Sequence, residues 1–243
     1  MSEDSVQGKP RYGRILLKLS GEALAGQAKT GIDPEILNQV AREISAINAL
    51  GVEVAVVVGA GNIFRGSLGE ELGIERATGD AMGMLATVMN SLALQNALAQ
   101  TDTPARVMTA TQMQEVAEMY TIQRARRHLE KGRVVIAAGG TGHPYFTTDT
   151  ASSLRAIELG AEVMLKATRV DGVYTSDPEK DPKAEKIEKI SYHQVISDQL
   201  RVLDLTSVSL CMDNNLPIIV FNLFEGGSLK KIVTGEQIGT LIS

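Results

Sequence analysis

Short apolar segments rich in β-branched residues recur along the chain, and segments with helical patterns separate them. Near-continuous apolar segments of this kind are typical of strands in a parallel sheet that is covered on both faces. The six segments are Arg14–Leu19, Val52–Val58, Ala105–Met108, Arg133–Ala137, Glu162–Leu165 and Pro217–Phe221. Their alternation with helices predicts an α/β protein, a single three-layer α/β/α sandwich with a mainly parallel central sheet and right-handed crossovers.

Two of the intervening helices have recognisable ends. In the first, Asp33 is a candidate N-cap, Pro34 suits the first helical position, and Gly51 follows the last turn. A later helix is predicted to begin near Thr111, with a glutamine three residues on as in a capping box, and to stop before Gly132.

A third helix, predicted from about Asp80 to Ala99, is apolar on nearly all its faces and has no charge after Asp80. Such a helix is buried either in its own domain or against another subunit. A domain of this size has limited room to enclose so long a helix, and burial against another subunit is therefore favoured. The small residues that would let a second copy approach closely are Ala86, Ser91, Ala93 and Ala97.

The composition excludes several classes of protein. One Cys among 243 residues rules out a disulfide framework and a Cys-rich metal site. A net charge of −5 argues against nucleic-acid partners, and no apolar run approaches the ~20 residues of a membrane span. The first ten residues are polar and do not resemble a signal peptide. We expect a flexible tail over residues 1–10, a single domain over residues 11–243 and a cytoplasmic location.

Common nucleotide and catalytic fingerprints are absent from the sequence. There is no Walker-type G-x-x-x-x-G-K-[S/T] segment, and Phe64 occupies the third glycine position of the would-be G-x-G-x-x-G motif. No G-x-S-x-G segment is present. The remaining His and Cys residues lack metal-ligand or nucleophile spacing and are interpreted as structural: His128, His143, His193 and Cys211.

Glycine-rich turns instead follow several predicted strands, at the sheet edge where α/β proteins bind ligands. Lys18 lies near the end of an otherwise apolar strand, and burying its ammonium is costly unless an anion meets it. The alternative is a lysine that extends from an edge strand to solvent. In the second turn, Gly59–Gly66, small residues allow N–H groups to approach an anion, and Arg65 can clamp a phosphate. By itself this second segment is equally compatible with an ordinary turn.

Two later segments carry more polar groups. Gly139–Ala151 combines glycines, four threonines and Asp149, and it leads into a helix predicted over Ser152–Leu159, which is typical of an anion site. Lys166–Pro178 forms turns suited to enclose a purine and a ribose. The polar stretch Asp171–Glu188 is interpreted as an excursion over the ligand within the same domain.

These four segments, in this order, resemble the bacterial uridylate (UMP) kinases of the amino acid kinase family over residues 14–242. The resemblance implies the amino acid kinase fold and the reaction ATP + UMP giving ADP + UDP in pyrimidine nucleotide synthesis. It implies Mg²⁺ held through the nucleotide phosphates, with no dedicated protein cage. It also implies a homohexamer built as a trimer of dimers, activated by GTP and inhibited by UTP.

The resemblance also assigns roles to positions of this sequence. The predicted catalytic residues are Lys18, Asp149, Asp204 and Arg65. The resemblance places Lys18 and Arg65 at the phosphates, and on chemical grounds we expect Asp149 to hold Lys18 or Mg²⁺ in place, with Asp204 as a second candidate for that role. The implied ATP site comprises Lys18, Leu19, Ser20, Gly21, Gly61, Arg65, Thr168, Tyr174 and Asp177. The implied UMP site comprises Ala60, Asp80, Thr141, Gly142, His143, Pro144, Tyr145, Phe146, Thr147 and Thr148, with Asp80 accepting the ribose hydroxyls. The implied allosteric segment comprises Gly26, Gln27, Ala28, Lys29, Thr30 and Gly31.

Two other functions share parts of this pattern. Another kinase of the same family could phosphorylate a carboxylate or carbamate such as acetylglutamate, but Asp80 and the Thr147–Asp149 run favour a nucleotide acceptor. A non-catalytic nucleotide sensor could use the same fold, but the presence of both Lys18 and Asp149 argues against it. A UMP phosphate is already ionised at neutral pH because its second pKa is about 6, so the predicted reaction needs no general base.

Overall fold

The structure is a computed structural model that describes residues 10–28, 30–176, 181, 183–200 and 202–243. All but the last residue of the predicted tail lies outside the described residues. The strands are Arg14–Leu19 (β1), Glu53–Val58 (β2), Ala105–Thr109 (β3), Glu118–Met119 (β4), Val134–Ala138 (β5), Val163–Thr168 (β6), Val173–Tyr174 (β7), Lys186–Ile187 (β8), Lys189–Ile190 (β9), Ile218–Asn222 (β10) and Thr240–Ile242 (β11).

Helices connect most of these strands. They are Gly21–Leu24 (α1), Pro34–Asn48 (α2), Gly66–Glu71 (α3), Arg76–Ala99 (α4), Ile122–Glu130 (α5), Thr148–Leu159 (α6), Tyr192–Ser197 (α7), Leu205–Asp213 (α8) and Ser228–Val233 (α9). A short 3₁₀ helix covers Gly26–Ala28. Within the described ranges, none of these helices combines the length and the apolar character needed to cross a bilayer.

Within the described residues, nine strands form one sheet in the order β4-β3-β5-β2-β1-β6-β10-β11-β9. Neighbouring strands are parallel except for the antiparallel pair β10 and β11. The predicted α/β sandwich with a mainly parallel sheet is therefore confirmed. β7 and β8 form a separate antiparallel hairpin within the polar excursion.

The helices cover both faces of the sheet, and the alternation of β1 divides its residues between the two layers. Ile15 and Leu17 belong to the cluster formed with α2, α4 and α9, whereas Leu16 belongs to the cluster formed with α5, α6, α7 and α8. Successive side chains of a strand point to opposite faces. The side chain of Lys18 consequently lies on the face that α6 and α8 cover.

The predicted start of α2 is confirmed, and the helix ends at Asn48, three residues before Gly51. The Asp33 carboxylate accepts hydrogen bonds from the N–H groups of Glu35 (2.9 Å) and Ile36 (3.3 Å), and Pro34 is the first helical residue. The cap satisfies N–H groups that have no partner inside the helix.

The predicted helix from Thr111 is wrong. Residues 118–119 form β4, which pairs in parallel with the end of β3, and α5 begins only at Ile122. Thr121 caps it by accepting a hydrogen bond from the N–H of Arg124 at 3.4 Å. Part of this segment instead adds a strand to the sheet. The pairing of β4 with β3 is a tertiary contact, which local capping signals do not reveal.

Helix α4 begins at Arg76, before its predicted start near Asp80. The face that it buries in the chain also differs from the one expected. Ala86, Ser91 and Ala97 are buried in the chain's own core, so these small residues do not form a surface for a second copy. They allow α4 to approach its own sheet closely. The opposite face exposes larger apolar side chains, of Met82 (36%), Leu85 (50%) and Met89 (57%).

Candidate active site

Two lysines lie side by side at the carboxyl ends of β1 and β6. Lys18 and Lys166 are partners in the parallel register of these strands. Asp149, in the first turn of α6, bridges them: its Oδ1 lies 2.7 Å from the Lys18 Nζ and its Oδ2 lies 2.8 Å from the Lys166 Nζ. The Lys166 ammonium also donates to the carbonyl of Val202. The arrangement fixes two positive charges around one carboxylate.

The electrostatics of this group follow from burial and from its own charges. Burial by itself would raise the pKa of Asp149, but the ammonium of Lys18 and then that of Lys166 outweigh it, and the pKa is lowered. Burial, followed by repulsion from Lys18, lowers the pKa of Lys166. Asp149 is therefore an anion at neutral pH whose charge is shared between two cations.

Asp204 organises the start of α6 and does not contact the two lysines directly. Its carboxylate accepts hydrogen bonds from the Thr147 hydroxyl (2.5 Å), the Thr150 N–H (3.1 Å) and the Thr150 hydroxyl (2.9 Å). It also caps α8 by accepting from the Ser207 N–H at 2.9 Å. Asp204 thus holds the turn that places Asp149. α6 itself begins at Thr148, four residues before its predicted start.

A cavity of about 800 Å³ opens beside Lys18 and Lys166. Ser20, Thr168 and Tyr174 line it, whereas Leu19 is buried in the sheet. Gly21 packs tightly at its edge: a Cβ there would lie 2.6 Å from the carbonyl oxygen of Gly59. Only glycine tolerates such an approach of two turns.

The β7–β8 hairpin forms one wall of this cavity, as expected of a segment that covers a ligand. The Tyr174 hydroxyl donates to Asp171 (2.5 Å), and the Lys186 ammonium lies 2.8 Å from the same carboxylate. The hydrogen bond from Lys186, followed by that from Tyr174, lowers the pKa of Asp171. Asp177, the remaining predicted ATP residue of this segment, lies outside the described residues.

The turn after β2 brings Gly61 and Arg65 close to α1. The Arg65 guanidinium donates to the Gly61 carbonyl (2.9 Å) and lies 3.2 Å from the Glu22 carboxylate. Arg65 is half-exposed. In this structure it contacts protein groups, and it lines neither the large cavity nor the smaller one described next.

A smaller cavity of about 120 Å³ lies between the turn after β2, α4 and the start of α6. The predicted UMP residues that line it are Ala60, Asp80, Thr141, His143, Phe146, Thr147 and Thr148. Gly142, Pro144 and Tyr145 lie outside its lining. Lys18 and Lys166 line the larger cavity, and Asp149, which contacts both, is adjacent in the chain to Thr148 of the smaller cavity. The lysine pair therefore lies beside both cavities.

Asp80 is tied to the loop that follows β5. Its Oδ2 accepts a hydrogen bond from the Tyr145 N–H at 2.7 Å and pairs with the Arg76 guanidinium at 2.9 Å. Tyr145 has a φ of 70°, an unusual conformation for a residue other than glycine. The contact holds the loop over the smaller cavity.

The predicted allosteric segment is placed apart from the lysine pair. Gly26 and Gln27 line a further cavity of about 530 Å³, and Arg169 lines both this cavity and the one beside the lysines. Ala28 ends the 3₁₀ helix, and Gly31 is hydrogen-bonded to Asn62. Thr30 is exposed, and Lys29 lies outside the described residues.

Sequence reasoning missed Lys166 as a site residue. The available signal was the same one that identified Lys18, a single charge within an otherwise apolar strand. Its pairing with Lys18 depends on the adjacency of β1 and β6, which are far apart in the chain. Within the part of the chain that the structure describes, no group of three or more His, Cys, Asp or Glu side chains is arranged to hold a metal ion.

Comparisons with known proteins agree with this geometry. A UMP kinase from Bacillus anthracis has 44% sequence identity to the chain and a TM-score of 0.93, with 96% of both chains covered. A UMP kinase from Ureaplasma parvum has 34% identity and a TM-score of 0.90, with 96% of this chain and 99% of that chain covered. A uridylate kinase from Archaeoglobus fulgidus has 27% identity and a TM-score of 0.71, with 94% and 99% covered. A sequence model of the amino acid kinase family matches residues 13–222. The chain therefore belongs to the amino acid kinase family.

Proposed function

We propose that this protein is a UMP kinase, which transfers the γ-phosphoryl group of ATP to UMP and releases ADP and UDP. The observation that carries the proposal is the Lys18–Asp149–Lys166 group, which lies in the larger cavity and next to the smaller one. A phosphoryl donor in one cavity and an acceptor in the other would meet at two fixed ammonium groups. The similarity to solved UMP kinases supports UMP as the acceptor.

The larger cavity has room for ATP, and residues predicted to bind UMP line the smaller one. The turns after β1 and β6 and the β7–β8 hairpin would enclose the adenosine, with Thr168 and Tyr174 in the wall. The smaller cavity has less than the roughly 300–1,000 Å³ typical of small-ligand pockets. Binding of UMP therefore requires the loop at Tyr145 to move outward, after which Asp80 is available for the ribose hydroxyls.

Catalysis of phosphoryl transfer requires mainly that the two substrates are positioned and that negative charge on the transferred group is stabilised. Phosphoryl transfer passes through a loose in-line transition state, with negative charge on the transferred group. Lys18 and Lys166 would stabilise that charge, and Asp149 would hold both ammonium groups at a fixed separation. The acceptor phosphate is already an anion near pH 7, which makes a general base unnecessary. We take Mg²⁺ as part of the substrate, entering as its complex with the ATP phosphates.

A coupled assay of ADP release tests the proposal. The purified protein is given MgATP with UMP, CMP, dTMP, acetylglutamate or carbamate, each in turn. We expect kcat/KM to be highest for UMP, by about ten-fold or more over CMP and dTMP, because buried polar groups discriminate strongly against a mismatched base. Turnover of acetylglutamate or carbamate without turnover of UMP contradicts the assignment, and tight ATP binding without any turnover favours a nucleotide sensor.

We further propose a homohexamer, a trimer of dimers, in which the exposed face of α4 is covered by a second copy. Support comes from Met82, Leu85 and Met89, which are three and four residues apart on one face of the helix. Contiguous exposed apolar side chains of this kind mark interaction surfaces.

We also propose that GTP activates the enzyme and UTP inhibits it, with the segment at residues 26–31 taking part in activation. The cavity lined by Gly26, Gln27 and Arg169 supports a ligand-responsive role for this segment. Titration of GTP and UTP at fixed UMP tests the proposal, and the variant Gln27→Ala should lower the GTP effect at least two-fold. Rates independent of both nucleotides contradict it.

A further inference from the structure

Two buried asparagine side chains pair with each other behind the turn that follows β2. Asn62 lies in that turn, Asn90 lies in α4, and their exposed fractions are 2% and 0%. The Asn62 amide nitrogen donates to the Asn90 amide oxygen at 3.0 Å, and the Asn90 amide nitrogen donates to the Asn62 amide oxygen at 2.8 Å. The two carboxamides therefore form a reciprocal, doubly hydrogen-bonded pair in the protein interior.

The second N–H of each carboxamide reaches a backbone carbonyl. The Asn90 amide donates to the carbonyl of Gly59 at 2.8 Å, and the Asn62 amide donates to the carbonyl of Gly31 at 2.7 Å. The backbone carbonyl of Asn62 accepts from the Gly31 N–H at 2.8 Å. All the amide donors of the pair are used, so the network is rigid and costly to break.

The bond to the Gly59 carbonyl fixes the orientation of one peptide group. In a trans peptide the C=O and the following N–H point to opposite sides, and the described chain has no cis peptide bond. Because Asn90 draws the Gly59 carbonyl inward, the Ala60 N–H points away from the interior. Ala60 lines the smaller cavity, and among the residues that the structure describes no acceptor takes its N–H.

Rotation of this peptide group is also opposed from the other side. Gly21 packs against the Gly59 carbonyl so closely that a Cβ on Gly21 would lie 2.6 Å from the oxygen. The Gly59 carbonyl is thus held between the Asn90 amide and the turn after β1.

We infer that Asn90 and Asn62 are positioning residues that aim the Ala60 N–H into the smaller cavity as a donor for the acceptor phosphate. The inference rests on the proposed function only for the identity of that acceptor. Neither side chain touches the substrate: Asn90 acts through the Gly59–Ala60 peptide, and Asn62 holds Asn90 in place. The same pair attaches the segment ending at Gly31 to the phosphate-binding turn.

The test replaces Asn90 by Leu or by Asp. Leucine keeps the branching of the side chain but removes all three of its hydrogen bonds. Aspartate keeps the shape and still accepts from Asn62, but it has no amide to donate to the Gly59 carbonyl or to the Asn62 amide oxygen. For each folded variant, KM is measured for UMP and for ATP, and binding is measured for UMP and for uridine. Uridine lacks the phosphate and reports on every part of the acceptor site except the one in question.

We expect both variants to raise KM for UMP by roughly ten-fold or more, the loss that a hydrogen bond to a charged group predicts. KM for ATP and the affinity for uridine should change less than two-fold. The matched control is Ser91→Ala, which removes a buried hydrogen bond to the Thr87 carbonyl in the same turn of α4 without touching Gly59. It should lower the thermal midpoint and leave KM for UMP unchanged.

The outcomes separate this inference from the proposed function. If the wild-type protein phosphorylates UMP and a folded Asn90 variant keeps the wild-type ratio of UMP to uridine affinity, the inference is overturned and the function stands. If the wild-type protein uses another phosphate-bearing acceptor, the proposed function fails and the same comparison is made with that acceptor. A wild-type protein that binds its acceptor no tighter than the dephosphorylated form overturns the inference directly.

Discussion

Asp149 lies between the two lysines of the candidate active site, with one carboxylate oxygen toward Lys18 and the other toward Lys166. A single carboxylate cannot neutralise two ammonium groups, so a positive charge remains for the phosphates. All three side chains are largely buried, where such charges act more strongly than in water. The group combines a fixed geometry with a local excess of positive charge.

Removing a member of this group should impair turnover more than binding. We expect Lys18→Ala, Lys166→Ala and Asp149→Asn each to lower kcat by about 10²-fold or more. The lysine variants lose a positive charge that stabilises the transition state, whereas Asp149→Asn loses the carboxylate that holds both ammonium groups in place. KM for UMP should change less than five-fold. Steady-state kinetics at pH 7.5 measures both constants, with Lys131→Ala, an exposed lysine after α5, as the control. Near-wild-type turnover in any of the three variants contradicts its assigned role.

The lowered pKa of Lys166 predicts an alkaline limit on activity. Because burial and Lys18 favour its neutral form, Lys166 loses its proton below the 10.5 of a free lysine. The rate should therefore fall as the pH rises through that lowered pKa. Asp149, whose pKa is lowered, stays ionised and adds no transition between pH 6 and 8.

Replacing Lys166 by arginine tests whether Lys166 causes the alkaline limit, since a guanidinium remains charged from pH 6 to 10. In Lys166→Arg the alkaline limb of kcat/KM should move to higher pH, whatever the loss in absolute rate, and in Lys131→Arg it should not move. The pH profile of each variant is measured from pH 6 to 10. If the alkaline limb of kcat/KM does not shift in Lys166→Arg, a group other than Lys166 causes the loss of activity at high pH.

At the scale of elements, the site is assembled from strand ends and from the first turn of α6. Asp204 connects α8 to that turn through both of its carboxylate oxygens, so it acts on the lysines by placing Asp149. Asp204 was predicted among the catalytic residues as a second candidate to orient Lys18, and the structure places it as the N-cap of α8 that also accepts hydrogen bonds from Thr147 and Thr150.

Loss of Asp204 should therefore affect both stability and activity. We expect Asp204→Ala to destabilise the fold by about 1–2 kcal/mol, as removal of an N-cap does, and to lower kcat less than Asp149→Asn does. Denaturant unfolding and steady-state kinetics measure the two effects. Asp33→Ala, which removes the α2 cap away from the lysines, is the control and should lose stability without losing kcat. A kcat loss for Asp204→Ala equal to that of Asp149→Asn would indicate direct contact with the substrate.

Several elements were predictable because their signals are local. The six strands and the capped helix α2 follow from apolar runs, an Asp-Pro pair and a glycine. The helix predicted from Thr111 failed because β4 gains its hydrogen bonds from β3, a partner outside the segment. Lys166 was missed for a related reason: its significance comes from the strand beside it.

At the scale of the whole molecule, α4 presents an apolar face to solvent in the single chain. Leu85 and Met89 are four residues apart and half or more exposed. Covering them in an oligomer would remove apolar surface from water, at roughly 25 cal/mol per Å².

Charge placed on this face should prevent assembly. We expect Leu85→Glu and Met89→Glu each to lower the association constant by at least ten-fold, because a carboxylate would be buried at the interface without a partner. Size-exclusion chromatography with light scattering measures the mass of each species over a range of concentrations. Leu72→Glu, at an exposed residue after α3, is the control. Wild-type mass in both variants excludes this face from the interface.

The sequence by itself determined the fold class and the glycine-rich turns at strand ends, and it singled out Lys18 and Asp149 as candidate residues for phosphate chemistry. The strands and turns depend on residues close together in the chain. Only the tertiary structure decided that Lys166 joins Lys18, that Asp204 holds the start of α6, and that two asparagines orient the Gly59–Ala60 peptide. Each of these contacts joins segments separated by many residues, and their strength depends on burial and hydrogen-bond geometry that arise only when the sheet and its helices pack together.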